Sequence, residues 1–352
     1  MTTVTVAGGG ATYPVRIGCD FLADSAEQLP ASLAGKRCVI LADASLANSW
    51  TPKLLGALEA RGGFVVAVPS GEASKSFEHA ERICEAMADA GLDRSSFVVA
   101  LGGGVVGDLA GFVAAIYHRG IPWVNVPTTL LAMVDSAIGG KTAVNLAAGK
   151  NLVGAIHQPS LVLADIRTLD TLPPREFKQG FAEIIKHGII RDAPMLDALR
   201  LFDRTQLEAL ITRNLEIKAA IVAEDERETT GTRALLNFGH TIGHAIERVA
   251  GYGTFLHGEA ISLGIVAACR LSEKCAGFSA GETEQVVQLL EFFDLPVRLP
   301  PEIDRTKVCA AVGVDKKFEQ GRVRFVVTPE LGRAHLSSEV TRDDIATAVA
   351  TL

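Results

Sequence analysis

SSFVVALGGGVVGDLAGFVAAIYHRG, residues 95–120, joins a β-branched apolar run to three consecutive glycines and then to a helical pattern of small and apolar side chains. An apolar run without polar alternation suits a strand buried on both faces, as parallel strands are. A glycine turn between such a strand and a helix leaves backbone N–H groups bare at the helix N-terminus. Residues 97–117 are long enough to span a bilayer, but Asp108 and five glycines interrupt them. The stretch therefore reads as buried α/β core and not as a membrane segment.

The same alternation extends to both sides. RCVILAD (37–43) precedes a helical TPKLLGALEARGG (51–63). FVVAVPS (64–70) precedes SFEHAERICEAMADAGLD (76–93), and PWVNVPTT (122–129) follows the glycine segment. Strand and helix in turn at this spacing predict βαβ units and a mainly parallel sheet. The pattern changes at TLPPREF (171–177). Beyond it lie long helical periodicities: FAEIIKHGII (181–190), QLEALITRNLEIKAAIVAEDE (206–226), TRALLNFGHTIGHAIERVA (232–250) and GEAISLGIVAACRLSEKCA (258–276). RVRFVVT (322–328) is the one strand-like run there. The expectation is α/β plus all-α: a parallel-sheet domain over 1–171 and a mostly helical domain over 172–352.

Composition narrows the function classes. Of 352 residues, 48% are hydrophobic and 21% charged, which is ordinary for a folded globular chain. The net charge of −7 is spread along the chain with no basic stripe, which argues against a nucleic-acid partner. Six cysteines at 19, 38, 84, 269, 275 and 309 form no C-x-x-C pair. They read as reduced thiols of a cytoplasmic protein. The N-terminal MTTVTVAGGGATY has no basic segment followed by an apolar one, so no signal peptide or membrane association is expected.

Several segments could carry chemistry. Gly102 to Gly104 let an anion approach a helix N-terminus, although the spacing is not the full G-x-G-x-x-G and such a turn is often only tight. Asp43, ending a strand, suits a ribose hydroxyl or is simply a helix N-cap. Glu72 and Lys75 in SGEASK could likewise cap a helix or hold a cofactor. VDSAIGGKTAVNLAAGKN (134–151) packs Asp135, Lys141, Asn145, Lys150 and Asn151 among small residues, and it is expected to be a functional loop with two phosphate-binding lysines. In NFGHTIGHAIE, Asn237, His240 and His244 are predicted to share one helical stripe. His257 precedes the next helix, and Glu183 lies on another with Lys186 and His187. Two imidazoles and a carboxylate are the usual set for a catalytic divalent metal. Spacing alone would pair His240 with His244, since i, i+4 histidines chelate readily.

Taken together, the chain resembles the 3-dehydroquinate synthases of the shikimate pathway, within the sugar phosphate cyclase superfamily. The matching stretches are GGGVVGDLAGFVAA, RGI, VPTTLLAMVDSAIGGKTAVN, GKNLVGAIHQP, TLPPRE, GFAEIIKHGII, DERE, LLNFGHTIGHAIE, LHGEA and DKK, in that order. The resemblance implies a Rossmann-like NAD domain followed by a helical domain, a homodimer, and a lyase using NAD and a divalent metal, zinc or cobalt. The implied reaction converts 3-deoxy-D-arabino-heptulosonate 7-phosphate into 3-dehydroquinate and phosphate. Neighbouring alternatives are an epi-valiolone, 2-deoxy-scyllo-inosose or amino-dehydroquinate synthase, or a glycerol-type dehydrogenase.

Carried over residue by residue, the resemblance makes Glu183, His240 and His257 the metal ligands and moves His244 to the substrate. It implies catalytic roles for His244, Lys141, Asn151, Glu228 and Lys186. Substrate contacts are Arg119, Asp135, Lys218, Arg233, Asn237 and a lysine of DKK, Lys316 or Lys317. NAD contacts are Asp43, Glu72, Lys75, Gly104, Val105, Val106, Gly107, Asp108, Thr128, Thr129, Lys141, Lys150 and the turn Thr168, Leu169, Asp170 and Thr171. ETTGTR (228–233) runs one residue longer than the family's usual turn.

Overall fold

The structure, a computed structural model, describes residues 1–251, 253–312, 318–319 and 322–352. The chain forms two compact units, one from residues 1–173 with 205–223, the other from 174–204 with 224–352. The first unit carries strands β1 (Thr2–Gly8), β2 (Ala11–Gly18), β3 (Cys38–Asp43), β4 (Phe64–Val68), β5 (Phe97–Gly102), β6 (Trp123–Pro127), β7 (Lys141–Leu146), β8 (Gly149–Ile156) and β9 (Leu161–Asp165). Its helices are α1 (Ser25–Gln28), α2 (Thr51–Leu58), α3 (Phe77–Asp89) and α4 (Gly104–Ile116). Seven strands form one sheet in the order β1-β2-β9-β6-β5-β3-β4. All neighbours from β2 to β4 run parallel, and only the β1–β2 hairpin is antiparallel.

Side chains of a strand alternate between faces, and both faces of this sheet are covered. Val39, Leu41, Val98 and Ala100 pack with Ile83 of α3 and Leu109 of α4. Cys38, Ile40, Ala42, Phe97, Val99 and Leu101 pack with Leu54 and Leu58 of α2. Double coverage is why these strands are apolar at every position. From β3 the chain goes to β4 on one side and then to β5 on the other. The order reverses there, and ligands of such sheets bind outside the carboxyl ends of the strands at that point.

The second unit holds α5 (Pro174–Arg191), α6 (Ala193–Leu199), α8 (His240–Ala250), α9 (His257–Cys275), α10 (Ala280–Phe292), α11 (Arg305–Val312) and α12 (Arg342–Ala350). It also holds a small sheet of β10 (Phe318–Glu319), β11 (Arg322–Val327) and β12 (His335–Val340). Between α6 and α8 in sequence, α7 (Leu207–Glu224) returns to the first unit. Among the described residues, no helix is long and apolar enough to cross a membrane.

Four expectations need correction. The chain does not change unit once near 171, because residues 205–223 rejoin the first. Glu208 of α7 accepts a hydrogen bond from Thr2 Oγ1 at 2.8 Å, and Lys218 Nζ lies 3.0 Å from Asp135 Oδ1. The polar stretch 134–151 is largely not a loop: a π-helical turn (Ala132–Ser136) leads into the β7–β8 hairpin. That hairpin buries Thr142, Ala143 and Val144. TRALLNFGHTIGHAIERVA is not one helix either. A 3₁₀ turn (Arg233–Asn237) ends before Gly239, whose φ of 79° breaks the path, and α8 begins at His240. Asn237 therefore leaves the His240–His244 stripe. Finally, β11 has strand partners on both edges, because HLSSEV (335–340) pairs with it as β12.

Candidate active site

In the first unit, the expected cofactor segments follow the carboxyl ends of β3, β4, β5, β6 and β9. Asp43 ends β3, and its Oδ1 accepts from Ser45 N at 2.9 Å, Ser45 Oγ at 2.7 Å and Ser70 Oγ at 2.5 Å. It thus caps the turn after β3 while standing at the sheet's reversal point. Gly103 precedes α4, and no side chain caps that helix among the described residues. The first N–H groups of α4, from Gly104 to Val106, therefore face outward beside Gly107 and Asp108, an arrangement that receives anions. Lys75 Nζ lies 2.5 Å from Asp108 Oδ2 and 3.9 Å from Glu72 Oε1. Burial lifts the Asp108 carboxyl above its ordinary range, against the opposing charge of Lys75.

The hairpin joins this cluster. Asn145 donates to Glu72 Oε1 at 2.7 Å, its N–H reaches the Lys75 carbonyl at 2.7 Å, and its Oδ1 accepts from Asn151 N at 2.9 Å. Lys141 and Lys150 stand on the two strands of the same hairpin. Thr128 N bonds the Gly102 carbonyl at 2.9 Å, and Thr129 Oγ1 accepts from Ala132 N at 3.1 Å. The turn with Thr168, Leu169, Asp170 and Thr171 hangs on buried Asp165, which accepts from the backbone N–H groups of Asp20, Phe21, Leu22 and Arg167. Arg119 is not brought to this cluster. It is exposed beyond the far end of α4, and a helix of that length sets it about 20 Å from Gly104.

The second unit brings three helices to one point. Glu183, in the middle of α5, is fully buried. A bare carboxylate there would be costly, and close partners offset the cost: Lys186 Nζ contacts Oε2, while Nε2 of His240 and Nε2 of His257 each lie 3.3 Å from Oε1. Burial opposes charge on Glu183, but Lys186 and then His240 outweigh it and hold the carboxyl well below its ordinary range. Burial likewise opposes charge on His257, yet Glu183 and Glu247 push its pKa up to about 9. His240 opens α8 and His257 opens α9. Two glycines permit the helices to come this close. A β-carbon at Gly258 would collide with the Gln179 carbonyl of α5, and one at Gly264 would collide with the Gly239 carbonyl before α8.

Donor atoms of Glu183, His240 and His257 all lie within 4.8 Å of one another. Two imidazoles and a carboxylate fit zinc or cobalt and leave positions for a substrate. The spacing pair is not what converges: among the described residues, no such group contains both His240 and His244. The exposed His244 ring sits beside the triad, 5.3 Å from the His240 ring and 5.8 Å from that of His257.

Comparison with known proteins identifies the family. The family model for the 3-dehydroquinate synthase N-terminal region matches residues 65–179, and that for the C-terminal region matches 180–318. A 3-dehydroquinate synthase of Desulforamulus reducens is 42% identical over 98% of each chain. The chain belongs to the 3-dehydroquinate synthase family. Among solved structures, a 2-deoxy-scyllo-inosose synthase complexed with carbaglucose-6-phosphate, NAD⁺ and Co²⁺ superposes with a TM-score of 0.89 at 26% identity, covering 99% of both chains. A 2-epi-5-epi-valiolone synthase of Streptomyces hygroscopicus with NAD⁺ and Zn²⁺ gives 0.85 at 28%, covering 98% of both.

The remaining positions that resemble this synthase family's site fall into two groups. Lys218 Nζ bonds the Asp135 carbonyl at 2.7 Å as well as its carboxylate, so those two are paired in the first unit. In the second, Asn237 donates to Glu228 Oε1 at 3.1 Å. Arg233 is buried and donates to the Glu226 carbonyl. Lys316 and Lys317 lie outside the described residues. Sequence reasoning missed Asp225, which accepts from the N–H groups of Thr229, Thr230, Gly231 and Arg233 and so shapes the ETTGTR turn. It also missed Glu247 and Asp165. Glu247 had a usable signal, because it falls two turns after His240 on α8.

Proposed function

We propose that the chain is a cyclising, phosphate-eliminating lyase that makes 3-dehydroquinate from 3-deoxy-D-arabino-heptulosonate 7-phosphate, acting as a cytoplasmic homodimer. The observation that carries this reading is the convergence of Glu183, His240 and His257 in a chain of this family. When bound, NAD would take up and return a hydride, and zinc or cobalt on these three residues would polarise adjacent substrate hydroxyls. The chain's own groups do the positioning. The α4 N-terminus, Asp43, Glu72, Lys75, Asp108, Thr128, Thr129 and the 168–171 turn would hold the dinucleotide. Lys141, Lys150 and Asn151 suit phosphate oxygens, while Arg233, Asn237 and Lys316 or Lys317 suit the carboxylate. His244 would hold a proton at the reacting hydroxyl, and Lys186, Glu228 and the Lys218–Asp135 pair are further substrate contacts on this reading; Arg119, beyond the far end of α4, is not assigned to the set. Phosphate leaves with the C–O electron pair, and its own oxygens can accept the neighbouring proton, so no separate protein base is needed. Orientation of one substrate through all these steps is the main task.

Phosphate release from the heptulosonate phosphate tests this directly, assayed with and without NAD⁺ and after chelation. Turnover should require both additions. His240→Ala should lose bound metal, and His244→Ala should keep it but turn over slowly. Equal, near-stoichiometric metal in both variants would sink the ligand assignment.

A further inference from the structure

The imidazole of His257 is addressed at both nitrogens. Nε2 faces Glu183 Oε1 at 3.3 Å, and Nδ1 faces Glu247 Oε2 at 3.6 Å. Glu247 is buried and sits on α8, two turns after His240. His240 shows the same arrangement with a different partner: Nε2 lies 3.3 Å from Glu183 Oε1, while Nδ1 lies 3.2 Å from the Phe238 carbonyl. Both rings thus point Nε2 at one carboxylate oxygen and turn Nδ1 toward an oxygen acceptor. An acceptor at Nδ1 keeps the proton there and leaves the Nε2 lone pair for a cation, so it selects tautomer and ring angle together. The Phe238 carbonyl is fixed by the backbone turn at Gly239. For His257, which opens its helix, no comparable backbone acceptor is seen among the described contacts, and a side chain from the neighbouring helix stands in that place.

We propose that Glu247 is a positioning residue: it acts through His257, setting the ring so that Nε2 presents to the cation held with Glu183 and His240. This rests on the metal reading above and adds to it a residue outside the ligand set. At 3.6 Å the contact is longer than a hydrogen bond and within ion-pair reach.

The test is cobalt binding to metal-free full-length protein, followed by competition with a chromophoric chelator and by the visible spectrum of the bound ion, with no turnover needed. Glu247→Ala should weaken cobalt binding about 10–100-fold and alter the spectrum, as loss of an outer-shell partner does. Glu247→Gln keeps an oxygen acceptor in the same place and should recover most of that loss. Unfolding midpoints of both variants separate a local effect from a misfolded chain. Parent-like affinity and spectrum in Glu247→Ala would overturn the proposal, as would equal loss in the alanine and glutamine variants. Two cobalt ions per chain, with one lost in Glu247→Ala, would make Glu247 a ligand in the second donor group it forms with His244 and His257, and would also overturn it. A parent protein that takes up no cobalt fails at the metal reading itself, which is a separate result from any variant difference.

Discussion

Asp225 organises a turn with a single carboxylate. Four backbone N–H groups converge on its two oxygens, and Arg233 and Glu228 take their places on the turn so formed. Burial works against the charge, but these donors hold the carboxyl well below its ordinary range. Because the folded value is depressed, the stabilisation is present above the unfolded value of about 3.9 and is lost as pH falls toward the folded one. Asp225→Asn should therefore lower the urea unfolding midpoint at neutral pH. In urea unfolding, the gap between parent and variant should narrow by about pH 3.5. A gap that is absent at pH 7, or unchanged on acidification, would contradict this account.

Among elements, the crossing of α5, α8 and α9 sets the Glu183, His240 and His257 triad, and its tolerance is small. Gly264→Ala should destabilise by about 1–3 kcal/mol or more through overpacking against the Gly239 carbonyl, and it should lower metal uptake. Gly281→Ala on α10 is the control, since a β-carbon there meets nothing closer than Ser279 Oγ at 3.9 Å. It should be neutral or gain up to about 1 kcal/mol of helix propensity. Thermal unfolding and metal content of the two variants decide it, and similar behaviour would show that the close approach is unimportant. The same elements show what was readable beforehand. β3, β5 and α5 were legible because periodicity reports burial directly. β7 and β8 were hidden by polar, glycine-rich composition, although Thr142 to Val144 are buried. The break at Gly239 was hidden because the apolar period runs on through Leu235, Ile242 and Ile246. The expected cofactor segments at Asp43, at Glu72 and Lys75, and at the glycine turn could be placed locally, since each follows a strand end. Convergence of Glu183, His240 and His257 could not, because spacing along one helix says nothing about which neighbour faces it.

For the whole molecule, the hydride that leaves the substrate must return to it, so product formation should require NAD⁺ while absorbance at about 340 nm, where reduced nicotinamide absorbs, stays level. On the proposed reading, the seven-carbon sugar phosphate lacking the carboxylate should be disfavoured on the order of a thousandfold, because it forgoes the charge-assisted hydrogen bonds that Arg233 would give that group. NADH accumulating in step with product would indicate a dehydrogenase, and comparable turnover of both sugars would favour a cyclitol-forming synthase. The return of α7 to the first unit bears on how such chains can be inherited. Its residues 207–223 belong with the sheet, yet α5 and α6 of the other unit are encoded before them. A single genetic crossover near residue 171 would take Asp135 from one parent and Lys218 from the other, and the ion pair between them would become a seam between two ancestries. Recombination that exchanges whole units needs three joins, near 173, 204 and 223. Gene fragments of this family are therefore poor currency for single-crossover shuffling, however clearly the sequence changes character at TLPPREF.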